Sequence, residues 1–311
     1  GNRPGTDDRP GLGGIGDRPN IGDRPGIGDR PGVGDRPGLG GIGDRPGFGD
    51  RPNTGKRPNS GDRVNVGDIN INAGNRLNIN RQNNINSIRN HWNNVDRRPF
   101  NRDYWGRHNR RDYNRSHWRW HGGWNSYPNN WCWRPTTWTT CGTWFSGWNW
   151  SKPYYYDYGN TVVYRDNYVY IGDRQYATID DYYQQAVTIA QSIPSIASPD
   201  DMEWMPLGVF AVAEQSATDS GMLIQLAVSK EGVLAGVYYN DISGSERPLE
   251  GMVDQKTQRA VWRFADGSNP DVVFETGMFN LTKEETSMLV HFGSDKMQTW
   301  LMVRLPQPED A

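Results

Sequence analysis

Aliphatic and polar residues alternate through the last third of the chain, which is the pattern of antiparallel strands that bury one face. Turn residues such as Asp266-Gly267 interrupt the alternation at short intervals. The pattern predicts eight strands, at 207–213, 221–229, 232–239, 248–253, 258–264, 271–278, 286–292 and 297–305. Eight short strands joined by hairpins are typical of an up-and-down barrel or a sandwich. We therefore predict an antiparallel β domain over residues 199–311.

Residues 161–198 carry two further patterns. The segment 161–171 alternates on both sides of an Asp166-Asn167 turn and predicts a β-hairpin. Thr178 and Asp181 have the spacing of a capping box, and the apolar residues that follow fall on one face of a helix. We therefore predict a hairpin followed by an amphipathic helix that ends before the proline at position 194.

Residues 64–95 alternate aliphatic residues with Asn, as in the runs 64–72 and 77–80. A period of two is typical of a strand, and Asn-rich alternation favours ladders of stacked Asn side chains between chains. The alternative interpretation is a polar linker of low complexity.

Residues 1–63 repeat in triplets that begin with Gly or Pro. Asp recurs every six residues, except for steps of nine from Asp8 to Asp17 and from Asp35 to Asp44 and a step of twelve from Asp50 to Asp62, so only a three-residue period is kept throughout. On a polyproline II helix each of the three phases forms one edge, and one edge here alternates Arg with an aliphatic residue. A collagen helix is excluded because Pro replaces Gly in every second triplet. The nine-residue steps also count against a β-helix.

An isolated polyproline II chain buries no surface, so this arm is either a disordered, solvated linker or an element that packs against copies of itself. The aliphatic residue at every sixth position favours lateral packing, with Asp and Arg pairing between chains. The predicted assembly residues are Ile15, Ile21, Ile27, Val33, Leu39, Ile42, Phe48, Asp17, Arg18, Asp23 and Arg24.

The segment 96–160 is rich in Trp, Tyr and Arg and poor in aliphatic residues, so it cannot build an ordinary core. Its aromatic side chains suit packing against the β domain or a neighbouring subunit, stacking on sugar rings or, third, stacking on single-stranded nucleic acid. The Arg residues alternate with Asn, Asp and Gly, which counts against nucleic acid. The candidate contact or glycan-binding residues are Trp118, Trp120, Trp124, Trp131, Trp133, Trp138, Trp144, Trp148 and Trp150.

Charge and cysteine content add two expectations. Residues 1–160 carry 24 Lys and Arg against 14 Asp, and residues 161–311 carry 10 against 22 acidic residues, which gives the halves opposite net charges of about +10 and −12. Such halves attract each other, so head-to-tail association is one interpretation, and surface charge dispersed over two unrelated modules is the alternative.

The nine-residue spacing of Cys132 and Cys141 suits a local disulfide in an oxidising compartment.

No catalytic or metal-binding motif occurs in the sequence. His291 stands alone in a predicted strand, Glu284 and Glu285 fall in a predicted turn, and the acidic pair at 180–181 is explained by helix capping. None of these residues specifically supports an enzymatic function. No apolar stretch is long enough to span a membrane, and the chain begins inside the repeat, as a processed secreted protein would.

The Gly-Asp-Arg-Pro-Gly repeats, the Asn-rich run and the Trp/Tyr/Arg-rich middle resemble planctomycete cell-surface proteins of the mu-protocadherin-like kind. The resemblance is compositional, covers about residues 1–175 and implies secretion and display at the cell surface. It implies no activity.

Together these patterns predict a mainly β protein with an extended polyproline-II-like arm, a short helix and a C-terminal barrel or sandwich. We expect a secreted, non-enzymatic structural protein that self-assembles through the arm into a cell-surface or extracellular filament or matrix. In this hypothesis the basic aromatic segment docks on the β domain of a neighbour. The alternative is an adhesin that binds polysaccharide or cell wall, with the arm as a flexible stalk. Neither hypothesis requires nucleic acid, a cofactor or a metal.

Overall fold

The part of the chain that a computed structural model describes includes three complete α-helices and eleven strands, with short 3-10 helices between them. The described residues lie within the unit Gly55–Ala311 and are 79–93, 99–106, 116–195, 202–214 and 221–308. In chain order the elements are α1 (Ile79–Asn93), α2 (Trp138–Trp144), β1 (Val162–Arg165), β2 (Tyr168–Ile171), β3 (Arg174–Thr178), α3 (Ile179–Gln191), β4 (Trp204–Glu214), β5 (Met222–Ser229), β6 (Val233–Asn240), β7 (Ser245–Val253), β8 (Arg259–Phe264), β9 (Val272–Gly277), β10 (Glu285–Phe292) and β11 (Met297–Arg304).

Strands β4 to β11 form a closed antiparallel barrel. Each strand pairs with the next one along the chain, and β11 closes the barrel on β4, with Leu301 opposite Ala213. The eight strands coincide, to within a few residues at their ends, with the eight predicted from the alternation of aliphatic and polar residues. Of the two predicted arrangements, the structure is therefore the up-and-down barrel.

Large apolar side chains fill the interior of the barrel. An eight-stranded barrel is just wide enough for its own side chains to fill it. The interior includes Phe210, Ile224, Trp262, Phe274 and Met288, all of them buried. Trp262 and Phe274 lie parallel on neighbouring strands, with ring centroids 6.1 Å apart. The interior is therefore a packed core.

The outer face of β4, β5, β6 and β11 is also buried, under the tryptophan-rich segment. The barrel positions beneath the indole rings include small residues, Ala211, Ala213, Ala227 and Ala235. Small side chains let the large rings approach the sheet closely. Strands that are buried on both faces read as nearly continuous apolar runs, and 207–213 in β4 is one of them.

A second layer covers the opposite side of the barrel. It consists of the three-stranded sheet β1-β2-β3 and helix α3, which lies against β7, β8 and β9. Asp166 and Asn167 have φ angles of 51° and 65°, as a two-residue hairpin turn requires. The Thr178 hydroxyl accepts a hydrogen bond of 3.0 Å from the backbone N–H of Asp181. The predicted hairpin and the predicted helix start are thus confirmed.

The strand predicted within the Asn-rich segment 64–95 is wrong for residues 79–93, which form helix α1. Ile85, Ile88 and Trp92 are fully buried against the outer face of the barrel. Their spacing of three and four residues is that of one helix face. Burial of this face selects the helix, although Asn is a weak helix former. The rest of that segment lies outside the described residues.

Candidate functional site

The nine candidate tryptophans divide into two groups. Five of them, Trp118, Trp120, Trp124, Trp131 and Trp133, are at most 7% exposed and pack on the outer face of the barrel. Their rings contact the barrel of their own chain. A sugar ring needs an open aromatic face, and these five rings offer none.

Polar contacts also tie the tryptophan-rich segment to the barrel of the same chain. The indole N–H of Trp120 donates to Glu250 at 3.3 Å. A ring nitrogen of His121 lies 3.0 Å from the carbonyl oxygen of Gly236. Helix α1 adds an ion pair of 2.8 Å between Arg89 and Glu285. The attraction between the basic and acidic halves is thus used, at least in part, inside one chain.

The other four tryptophans belong to residues 137–150, which we call the end cap because they close one end of the barrel. Cys141 and Phe145 of the end cap are buried in the barrel core. Around them Trp138, Trp144, Trp148 and Trp150 are only half-buried. These four rings are therefore the members of the candidate set that keep some contact with solvent.

The predicted disulfide is not formed. Cys132 and Cys141 are both free and buried, and they lie in different apolar clusters, one outside the barrel wall and one inside it. The indole N–H of Trp105 donates to the Cys132 sulfur at 3.2 Å. Burial raises the pKa of both thiols, that of Cys141 to about 11, which keeps them protonated at neutral pH. Close spacing in sequence was misleading because the wall of the barrel separates the two side chains.

A buried ionic cluster, which the sequence analysis missed, lies between the barrel and the second layer. The Arg259 guanidinium of β8 forms an ion pair with Glu275 of β9, and both side chains are at most 2% exposed. His291 of β10 is fully buried, with its Nε2 atom 3.9 Å from Glu275. The prediction that His291 stands alone is therefore wrong. Arg259 also lies over the ring of Tyr182, 4.1 Å from its centroid.

The charges in this cluster stabilise one another. Burial acts to raise the pKa of Glu275, but the neighbouring Arg259 and His291 outweigh it and hold that pKa at about 2. Burial acts to lower the pKa of Arg259, and Glu275 and the phenol of Tyr182 together raise it above its usual value. Arg259 and Glu275 are therefore both charged at neutral pH.

Three tyrosines surround this charged pair. The hydroxyl groups of Tyr158, Tyr164 and Tyr182 are buried and have no hydrogen-bond partner among the described residues. Burial raises the pKa of each phenol well above its usual value. The cluster is closed off from solvent, and no described Ser, Thr or Cys is hydrogen-bonded to His291 as a nucleophile would be. Through Arg259, which lies over Tyr182 and donates to the Gln185 side chain at 3.4 Å, the cluster joins helix α3 to the barrel.

Two other acidic residues named from the sequence, Glu284 and Glu285, each lie beside an arginine. Glu284 is exposed and lies 3.7 Å from the Arg304 side chain, and Glu285 begins β10. The guanidinium of Arg304 is buried and donates to the carbonyl oxygens of Leu207 and Leu281. Gly208 has a φ angle of 109°, and a Cβ atom there would collide with this guanidinium. Arg304 thus ties strand ends together beside the end cap.

The predicted assembly residues all fall outside the described part of the chain. They are Ile15, Asp17, Arg18, Ile21, Asp23, Arg24, Ile27, Val33, Leu39, Ile42 and Phe48. Within the described part, no three His, Cys, Asp or Glu residues are grouped so that they could hold a metal ion. No described helix is long and apolar enough to cross a membrane.

Comparison with known proteins gives no relative. No family model matches the chain, and neither a curated protein nor a solved structure is significantly similar to it.

Proposed function

We propose that this protein is an extracellular structural protein that assembles through its N-terminal repeat arm, with the barrel as the body of each subunit. The observation that carries the proposal is the burial of the tryptophan-rich segment on its own barrel. Because five of its tryptophans are buried within one chain, the segment offers less apolar surface for joining subunits, which favours the repeat arm as the assembly element. Residues 1–63 have an apolar residue three or six positions after the last one from Leu12 to Phe48, and this regular apolar edge favours packing against other chains.

The charge of the arm supports side-by-side packing. Residues 1–63 contain 11 Lys and Arg and 9 Asp, so the arm is almost neutral although it is highly charged. Balanced charges at a regular spacing allow neighbouring arms to pair Asp with Arg without net repulsion. The basic excess of the N-terminal half therefore lies in residues 64–160, and the described part of that segment packs on the acidic barrel domain.

Secretion and surface display belong to the same proposal. They rest on the compositional resemblance of residues 1–175 to bacterial surface proteins. The barrel suits a subunit body because its interior is filled with side chains and two layers cover its outer faces.

Electron microscopy of purified protein tests the assembly. The native chain is compared with a variant in which Ile15, Ile21, Ile27 and Val33 are replaced by Ser. A matched control changes the three isoleucines to Val, which keeps an aliphatic edge. We expect regular fibres or sheets from the native chain and the control, and dispersed particles from the Ser variant. Equal assembly of the Ser variant, or dispersed native protein at high concentration, contradicts the proposal.

The second candidate is an adhesin that binds polysaccharide, with the arm as a stalk. It is favoured by the half-exposed tryptophans of the end cap and not by the five buried ones. In that case binding to sugar persists when residues 1–63 are removed, and the native chain does not assemble.

A further inference from the structure

Three aromatic rings form a row on the surface of the barrel end. The rings of Trp138 and Trp150 lie nearly parallel, 9° apart in plane, with centroids separated by 5.7 Å. Phe279 meets Trp138 edge to face at the same centroid distance. The indole N–H of Trp150 donates to the carbonyl oxygen of Gln255 at 2.8 Å, which fixes that ring. All three rings are half-buried, so this aromatic row is anchored and still reaches solvent.

Three lysines accompany the aromatic row. The Lys283 ammonium lies 3.9 Å from the centroid of Phe279, and burial lowers its pKa. Lys256 directly follows the residue that holds Trp150, and Lys152 lies two positions after Trp150. Lys256 and Lys152 are exposed, and none of the three lysines forms a salt bridge within the described residues. They are half of the six lysines of the chain.

The carboxylates nearby do not cancel these charges. Asp254 is held by the backbone N–H groups of Lys256 and Thr257. Glu284 faces Arg304, at 3.7 Å. Beside the aromatic row, three lysines and one arginine thus stand against these two carboxylates, although residues 161–311 are acidic as a whole. Further round the same end of the barrel, Lys230 forms an ion pair with Glu203.

We propose that the aromatic row and the three lysines bind an acidic polysaccharide. The apolar C–H face of a sugar ring packs on an indole or phenyl ring, and the carboxylate groups of the polymer pair with the ammonium groups beside the row. The charges select an acidic polymer over a neutral one. Trp138 and Trp150 already stack on each other, so a ligand meets only the outer faces of the row, and the oligothymidylate in the test below separates a sugar chain from single-stranded nucleic acid. The proposal does not depend on assembly through the arm.

Binding of sodium polygalacturonate to the full-length chain, measured by isothermal titration calorimetry, tests this site. Dextran and an oligothymidylate are the comparison polymers. We expect binding to polygalacturonate that weakens as salt is raised, and much weaker binding to both comparison polymers. Loss of the native signal at low salt, or equal binding of dextran or the oligonucleotide, overturns the proposal.

Substitutions locate the site. The double variant Lys152→Glu and Lys256→Glu, at two exposed positions, is expected to weaken binding by about tenfold or more, a loss typical of reversing two charges in contact with a polyanion. Trp138→Ala is expected to weaken it by a similar factor. The matched control is Lys296→Glu, which changes a lysine that lies over Phe292 at the opposite end of the barrel. Because the lysines lie at the surface, the double variant remains informative if Trp138→Ala fails to fold. Unchanged affinity in the double variant, or an equal loss in the control, refutes the assignment.

Discussion

Replacing Glu275 with Gln leaves the buried Arg259 guanidinium without its carboxylate partner. Both side chains are almost completely buried, and removing one partner of such a pair typically costs about 3–5 kcal/mol because the other charge stays buried. The pKa of Glu275, about 2 against an ordinary 4.5, gives a separate value of about 3 kcal/mol. We therefore expect the free energy of unfolding to fall by about 3 kcal/mol.

The same pKa fixes the direction of the pH dependence. The folded state holds the proton of Glu275 less tightly than the unfolded state does, so this contribution is fully present above the unfolded pKa. It is lost as the pH falls from about 4.5 towards 2. The native chain should therefore lose more stability than the Gln variant over this interval, and their two stability curves should converge at the acid end.

Urea denaturation of the full chain, followed by near-ultraviolet circular dichroism and repeated at several pH values, measures both effects. Glu285→Gln is the matched control, because its ion pair with Arg89 is partly exposed and is worth at most about 1 kcal/mol. A double variant, Arg259→Met with Glu275→Leu, removes both charges and should recover most of the loss. Equal stability of the native chain and Glu275→Gln, or parallel stability curves between pH 4.5 and 2, refutes the reasoning.

Three further predictions concern the core and its cover. Burial raises the pKa of the Cys141 thiol to about 11, so this thiol should react with a thiol reagent at pH 8 only after denaturation. An increase in the intact mass on treatment with reductant would indicate a disulfide and contradict a free thiol. Ile88→Ser removes a buried contact of α1 and should cost about 2–4 kcal/mol in urea denaturation, whereas the exposed Asn86→Ser should cost little; similar losses for both would argue against the packing of α1. Gly208→Ala places a Cβ atom where the φ angle is 109° and against a buried guanidinium, so it should lower the free energy of unfolding by about 2 kcal/mol. The control Gly142→Ala has open space around the new Cβ atom in α2 and should be neutral or stabilising.

The barrel and the second layer could be read from the sequence because their signals are local. Alternation of aliphatic and polar residues, turns such as Asp266-Gly267 and the capping pair Thr178 and Asp181 each depend on a few neighbouring positions. The packing of the tryptophan-rich segment depends on contacts over long separations, such as the 130 residues between Trp120 and Glu250. The continuous apolar run 207–213 was the available sign that the outer face of the barrel is covered.

The errors have the same physical origin. Helix α1 was missed because the Asn alternation before it masks the helical spacing of Ile85, Ile88 and Trp92, and tertiary burial decides between the two. The ionic cluster was missed because Arg259, Glu275 and His291 lie on three different strands, and only the pairing of those strands brings them together. A charged residue in an otherwise apolar strand, as Glu275 is, was the available signal.

The closure of the barrel affects how the protein behaves at high local concentration. In an open sheet the two outermost strands expose rows of backbone N–H and C=O groups, to which a strand from another molecule can add. Because β11 pairs with β4, none of the eight barrel strands leaves such a row free. Copies of the barrel can therefore lie close together without joining edge to edge through these strands.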